Sequence, residues 1–152
     1  MKKSQLSRIA KSSIVLCALL LATGSTRIYA DAPGAHPAYL HAIDYLRQAR
    51  SLLQIQFGVP AHAQAAAEAI PRINAAIAHL KDAAKLDEKN LAAVPPPDNN
   101  LDETGRFHKV AELLRMAHHD TSGPEADPYA KPLRDKAWQD MDQANAIIQK
   151  VL

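Results

Sequence analysis

The seven histidines are the side chains of this sequence with the widest choice of chemistry. An imidazole binds metal ions or haem iron, and it also serves as a general base. His108 and His119 share the polar face of one amphipathic stretch, but eleven helical residues separate them by about 16 Å, too far to hold one ion. His41 and His79 point away from the apolar faces of their own stretches. The spacing therefore predicts surface histidines.

The sequence lacks the short motifs that define common metal, haem and hydrolase sites. It has no His-Glu-x-x-His, Glu-x-x-His, Cys-x-x-Cys-His or Gly-x-Ser-x-Gly. We therefore expect a protein that is not an enzyme and has no cofactor. A metal-binding or haem-binding periplasmic bundle is the alternative, in which Met116 or Met141 would pair with a histidine on a b-type haem.

Residues 1–30 have the order of a secretory signal peptide. Basic residues come first, nine apolar residues follow at 14–22, and the stretch closes on small residues at Ala30. Nine residues are far fewer than the roughly 20 that span a bilayer. We predict export to the periplasm or beyond, with cleavage after Ala30 or, as a second choice, after Ala32. A retained anchor helix is the alternative.

Removal of residues 1–30 changes both the thiol content and the charge of the protein. Cys17 is the only cysteine, so the mature chain would have no thiol for a disulfide, a metal site or a nucleophile. The whole chain has 18 basic and 16 acidic residues, and the predicted signal takes five basic residues and no acid. The mature chain would carry a net charge of −3, which does not favour nucleic-acid binding.

Apolar residues recur at helical spacing in four stretches of the mature chain. They predict helices at about 37–57, 62–86 and 106–119 and from 127 onward. Pro71 interrupts the second pattern and predicts either a kink or a helix that begins there. Residues 88–105 contain Ala-Ala-Val-Pro-Pro-Pro-Asp-Asn-Asn and predict a Pro-rich linker.

These elements predict an all-α fold with one helical-bundle domain at 31–152. Short connections within the first and second helix pairs favour an antiparallel four-helix bundle of up-down-up-down order. A three-helix core with a loosely docked third helix is the alternative.

Two groups of side chains lie beside the predicted core. His41, Tyr45 and Leu52 share a flank of the first helix, and Trp138 occupies a comparable flank of the fourth. Such amphipathic side chains either close the rim of the core or form a binding patch for a partner protein or a small apolar ligand.

Arg50 and Asp140 form the second group. Each lies close to the apolar face of its own helix, the first and the fourth respectively, and charges at such positions need a partner. We predict an Arg50–Asp140 ion pair that sets the register of these two helices.

Three stretches resemble an uncharacterised family of small, exported bacterial α-helical proteins. They are His-Pro-Ala-Tyr-Leu-His-Ala-Ile-Asp-Tyr-Leu-Arg-Gln-Ala-Arg at 36–50, the stretch at 69–91 with its following Pro-Pro-Pro-Asp, and the stretch at 127–148. The resemblance implies export and a helical architecture and supplies no active site, and Pro71 departs from its pattern. We expect a non-enzymatic role in binding or assembly in the cell envelope, with no transmembrane span after processing.

Overall fold

The computed structural model describes residues 37–85, 91 and 93–152. Within these ranges all regular structure is helical: α1 Pro37–Leu53, α2 Pro60–Ala84, α3 Glu103–Asp120 and α4 Ala130–Ile148. The predicted all-α class and the four helices are confirmed. None of the helices in this part of the chain is long and apolar enough to cross a membrane. The predicted signal peptide with Cys17, residues 31–36 of the predicted domain, and residues 86–90 and 92 around the start of the predicted linker lie outside the described residues.

α1 buries the apolar face that its sequence pattern predicts. Ile43 and Leu46 are fully buried, and the other buried positions share their side of the helix. The helix ends at Leu53, four residues earlier than predicted, and the half-buried Phe57 lies in the following loop. Beyond this end the carbonyls of Ile55 and Gln56 accept hydrogen bonds from Arg106 of α3.

α2 is a continuous helix through Pro71. Pro60 starts it, as suits a residue with no N–H to leave unpaired, so a helix that begins at Pro71 is wrong. Pro71 is exposed, and its missing N–H removes one backbone hydrogen bond. The buried face consists mostly of alanine, which lets neighbouring helices approach closely. Lys85 ends the helix in the left-handed conformation, with φ of 53°.

α3 begins within the predicted linker, and α4 begins later than predicted. Asp102 caps α3 by accepting a hydrogen bond from the Gly105 N–H over 2.7 Å. Asp127, expected to start α4, instead accepts from the Tyr129 N–H over 2.8 Å and so makes a turn before the helix.

The ends of the helices show how they run. Arg106, at the start of α3, donates to the carbonyls of Ile55 and Gln56, just after α1. Tyr39, at the start of α1, donates to the Glu125 carboxylate, just after α3. α1 and α3 therefore run in opposite directions. The predicted up-down-up-down order makes these two helices parallel, so that part of the prediction is wrong.

The connection at 85–102 makes the observed order possible. α2 has 25 residues and is about 37 Å long, whereas 18 residues in an extended, proline-rich conformation reach about 55 Å. The chain thus has the length to return along the bundle, and α2 and α3 both start at the same end. This connection is too long for the rule that short loops join antiparallel neighbouring helices.

The pairs of helices that pack against each other follow from this order of the chain. α2 packs most extensively on α4, and α1 packs on both α3 and α2. α3 and α4 make the smallest of the packed seams, although they are neighbours in sequence. α1 and α4 lie at opposite corners, and in the described chain they form no packed seam.

Candidate binding clefts and the side chains around them

The predicted flank on α1 is only partly accessible. The His41 side chain is 69% exposed and lies 4.0 Å from the Asp120 carboxylate. Tyr45 is half-buried against the core. Leu52 is only 4% exposed, so this member of the predicted flank is packed in the core rather than beside it. α1 packs against two helices and the linker rather than along one narrow seam, and its apolar face is correspondingly wider than predicted.

Trp138 supports the turn between α3 and α4. Its indole N–H donates to the Thr121 hydroxyl oxygen over 2.8 Å. The His118 ring stacks on it with centroids 4.9 Å apart, and the Arg134 guanidinium lies 4.4 Å from its centroid. Because α4 lies at the opposite corner from α1, Trp138 does not continue the flank of His41 and Tyr45.

The predicted Arg50–Asp140 ion pair is not formed. Arg50 donates to the Asn74 side-chain oxygen over 3.0 Å. Asp140 instead lies 3.7 Å from an Arg72 guanidinium nitrogen and 3.6 Å from His79 Nε2. α2 supplies the partners of both residues because it packs between α1 and α4.

Glu103 holds the start of α2, a role that sequence reasoning missed. Its carboxylate accepts from the Gly58 N–H over 2.5 Å and the Val59 N–H over 3.3 Å, and it lies 2.7 Å from His62 Nδ1. The Gly58 N–H, followed by the His62 contact, holds the pKa of this carboxyl below its ordinary value of 4.5. An anion at a helix N-terminus is also favoured by the helix dipole.

Arg106 holds the end of α1. It is only 5% exposed, and its guanidinium donates to the Ile55 and Gln56 carbonyls over 3.3 Å each. The guanidinium also lies 4.2 Å from the centre of the Phe57 ring, within the range of a cation–π contact. We call Glu103 and Arg106 together the α3 clamp. Because Glu103 falls within the predicted linker, the sequence pattern gave no reason to place it on a helix.

The opposite end of the bundle is tied by Tyr39. Its hydroxyl donates to Glu125, which also accepts from the Asp127 N–H over 2.9 Å. Burial, followed by the hydrogen bond to Glu125, raises the pKa of Tyr39 well above its ordinary value of 10.0. Both ends of the bundle thus use their polar side chains to hold turns.

An open cleft of about 380 Å³ lies between α1, α3 and the proline-rich connection. We call it the proline cleft. Leu52, Leu101 and Leu113 provide its apolar surface, and the connection provides a wall at 95–98. Gln48, Ser51 and Lys109 complete the lining. Its size falls within the roughly 300–1,000 Å³ of small-molecule sites.

The described ranges contain no group of three or more His, Cys, Asp or Glu side chains able to hold a metal ion. This finding covers residues 37–85, 91 and 93–152 and leaves the rest of the chain open.

Comparison with known proteins does not assign a family. No protein-family model and no solved structure matches the chain. The major capsid protein L1 of human papillomavirus type 61 is 35% identical over 71 residues, which cover 43% of this chain. The chain spans only 14% of the length of that protein. We carry nothing over from so partial a likeness.

Proposed function

We propose that the protein is exported and binds a small apolar ligand in the cell envelope without acting as an enzyme. The observation that carries the binding proposal is the proline cleft, where leucines from both helices and the connection meet beneath the prolines. The signal-like residues 1–30 and the resemblance to exported helical proteins support the cellular location.

The lining of the proline cleft suits an apolar ligand. Leu52 and Leu113 are packed in the core, so the apolar surface is held in place before a ligand arrives. The prolines at 95–97 have restricted backbones and add stiffness to the wall. A preformed site loses little conformational entropy on binding. Gln48 and Ser51 at the rim supply hydrogen-bonding groups that would orient the ligand.

The non-enzymatic part of the proposal is supported by the positions of the perturbed acidic groups. Glu103 holds the start of α2, and Tyr39 holds the turn after α3. A hydrogen bond from Arg134, the larger effect, and another from Lys131 lower the pKa of Asp135 within α4. None of these three side chains lines the proline cleft.

A neutral apolar fluorophore, N-phenyl-1-naphthylamine, tests the proposal. Its emission should rise saturably as it enters the proline cleft of the wild-type protein. Ser51→Phe places a ring in the cleft and should abolish this rise, whereas His41→Phe adds the same ring at an exposed site on α1 and should leave it. No saturable signal, or equal affinity in Ser51→Phe, would overturn the proposal.

The same preparation tests the alternative of a metal-binding or haem-binding bundle. A Soret absorption band, or stoichiometric copper, zinc or iron in the protein purified from the periplasm, would favour that alternative. Co-purification with a single envelope protein through the cleft, lost in Ser51→Phe, would identify the occupant as a protein partner.

A further inference from the structure

We propose that a second cleft, between α3 and α4, binds a small organic carboxylate with an apolar group. This α3–α4 cleft has a volume of about 370 Å³, and its lining includes Leu114, Arg115, His118, Met141, Asp142 and Asn145. The proposal is independent of the proline cleft, with which it shares no lining residue.

The cleft exists because α3 and α4 separate after their connecting turn. α3 packs chiefly on α1, and α4 packs chiefly on α2, so the seam between them is left partly open. Leu114 and Met141 are buried at 2% and 1% exposure and form an apolar floor. A methionine floor adapts readily to the shape of an apolar group.

Arg115 supplies the charge that recognises an anion. It is exposed on the rim, and within the described chain no hydrogen bond or ion pair occupies its guanidinium. A guanidinium matches a carboxylate through two parallel N–H···O hydrogen bonds. Asp142, which lines the cleft from α4, would repel a phosphate dianion more strongly than a carboxylate. Among anions that pair with Arg115, these charges therefore favour a monoanion over a dianion.

His118 and Asn145 add hydrogen-bonding groups on the two walls of the cleft. The His118 ring is fixed by stacking on Trp138, whose indole is itself held by Thr121. This support orients one wall without a ligand and limits the entropy lost on binding. The site thus combines an apolar floor, the Arg115 guanidinium on its rim and a positioned imidazole.

Octanoate tests this proposal, with Trp138 as the reporter because it is the only tryptophan of the chain. Octanoate should change the Trp138 fluorescence saturably, whereas octylamine, with the opposite charge, and acetate, without the chain, should not. Arg115→Gln should weaken octanoate binding about tenfold or more, as expected for a lost charge-assisted pair. Lys136→Gln removes the same charge from an exposed site outside the cleft and should leave the affinity unchanged.

Ser51→Phe separates this site from the proline cleft. It should leave octanoate binding intact, and a loss of binding in this variant would place octanoate in the proline cleft and overturn the proposal. Equal affinity for octylamine, an unchanged affinity in Arg115→Gln, or no saturable response in the wild type would also overturn it. Thermal melts of each variant establish that a lost response does not come from unfolding.

Discussion

Glu103 and Arg106 lie one helical turn apart on α3, and each binds one end of the connection between α1 and α2. The carboxylate accepts from N–H groups at the start of α2, and the guanidinium donates to carbonyls just beyond the end of α1. Each charge is thus placed against the helix end of opposite partial charge. A single turn of α3 holds together two helices that precede it in the chain.

Arg106→Met should destabilise the protein by about 2–4 kcal/mol, because the buried Arg106 side chain no longer donates to the Ile55 and Gln56 carbonyls. Urea unfolding followed by circular dichroism measures this loss. Arg72→Met is the matched control, since its side chain is half-exposed and pairs with Asp140 at 3.7 Å. The control should lose about 0–1 kcal/mol. Equal losses in the two variants would contradict a special role of the α3 clamp.

Glu103 should make stability depend on acid pH. Its pKa is lowered in the folded protein, so its contribution is present above the ordinary value of 4.5 and is lost as pH falls through the folded pKa. Glu103→Gln should lower the free energy of unfolding at neutral pH. Below about pH 4.5 the stability of this variant should decline less steeply than that of the wild type. Because the pKa of Asp135 is also lowered, some decline should remain. Urea melts at stepped pH would contradict this prediction if both proteins had the same slope.

Leu52→Ala should cost about 2–5 kcal/mol of stability, through lost burial and the cavity left behind. His41→Ala, about three turns away on the same helix and mostly exposed, should cost about 0–1 kcal/mol. Thermal and urea melts of the two variants measure the difference. A Leu52→Ala protein as stable as His41→Ala would contradict the burial of Leu52 in the core.

The Trp138–Thr121 hydrogen bond should be measurable by a double-mutant cycle. Trp138→Phe and Thr121→Val each remove one partner, and their coupling energy should be about 0.5–1.5 kcal/mol. The cycle uses free energies of unfolding in urea for the two single variants and the double variant. Strictly additive effects would show that the 2.8 Å contact contributes no net stability.

The predicted signal peptide has a direct test. Protein recovered from the periplasm should begin at Asp31, or at Pro33 for the second cleavage choice, as intact-mass spectrometry can establish. Protein in that compartment that still carries Met1, or a lipidated Cys17, would contradict this prediction.

The sequence predicted the helices well because their periodicity is a local property. Leu46, Ile73 and Ile148 are apolar residues of three of the predicted helices, and all three are fully buried in the core. Pro71 lies within α2, and the helix continues through it, although the sequence alone left open whether a helix would begin there. The three-dimensional structure was needed to distinguish a helix that continues through Pro71 from a helix that begins there.

The arrangement of the helices was not predictable from the same pattern. The direction of α3 depends on the path of the connection at 85–102, and proline content indicates only that this connection is extended. The up-down-up-down order makes the helices of Arg50 and Asp140 neighbours, whereas in the structure these helices lie at opposite corners. Leu52 was misplaced for a related reason, because a helical wheel does not show how many neighbours surround α1.

The same path of the chain determines how force would pass through the domain. α1 begins beside Glu125, and α4 ends beside Ala61 and Ala65 at the start of α2, so these two points lie at opposite ends of the bundle. Attachments at the two points would be separated by about the length of α2, roughly 37 Å. Tension between these two points would shear the helices, sliding them lengthwise past one another. The side-chain contacts along the α2–α4 and α1–α3 seams would then resist the force together.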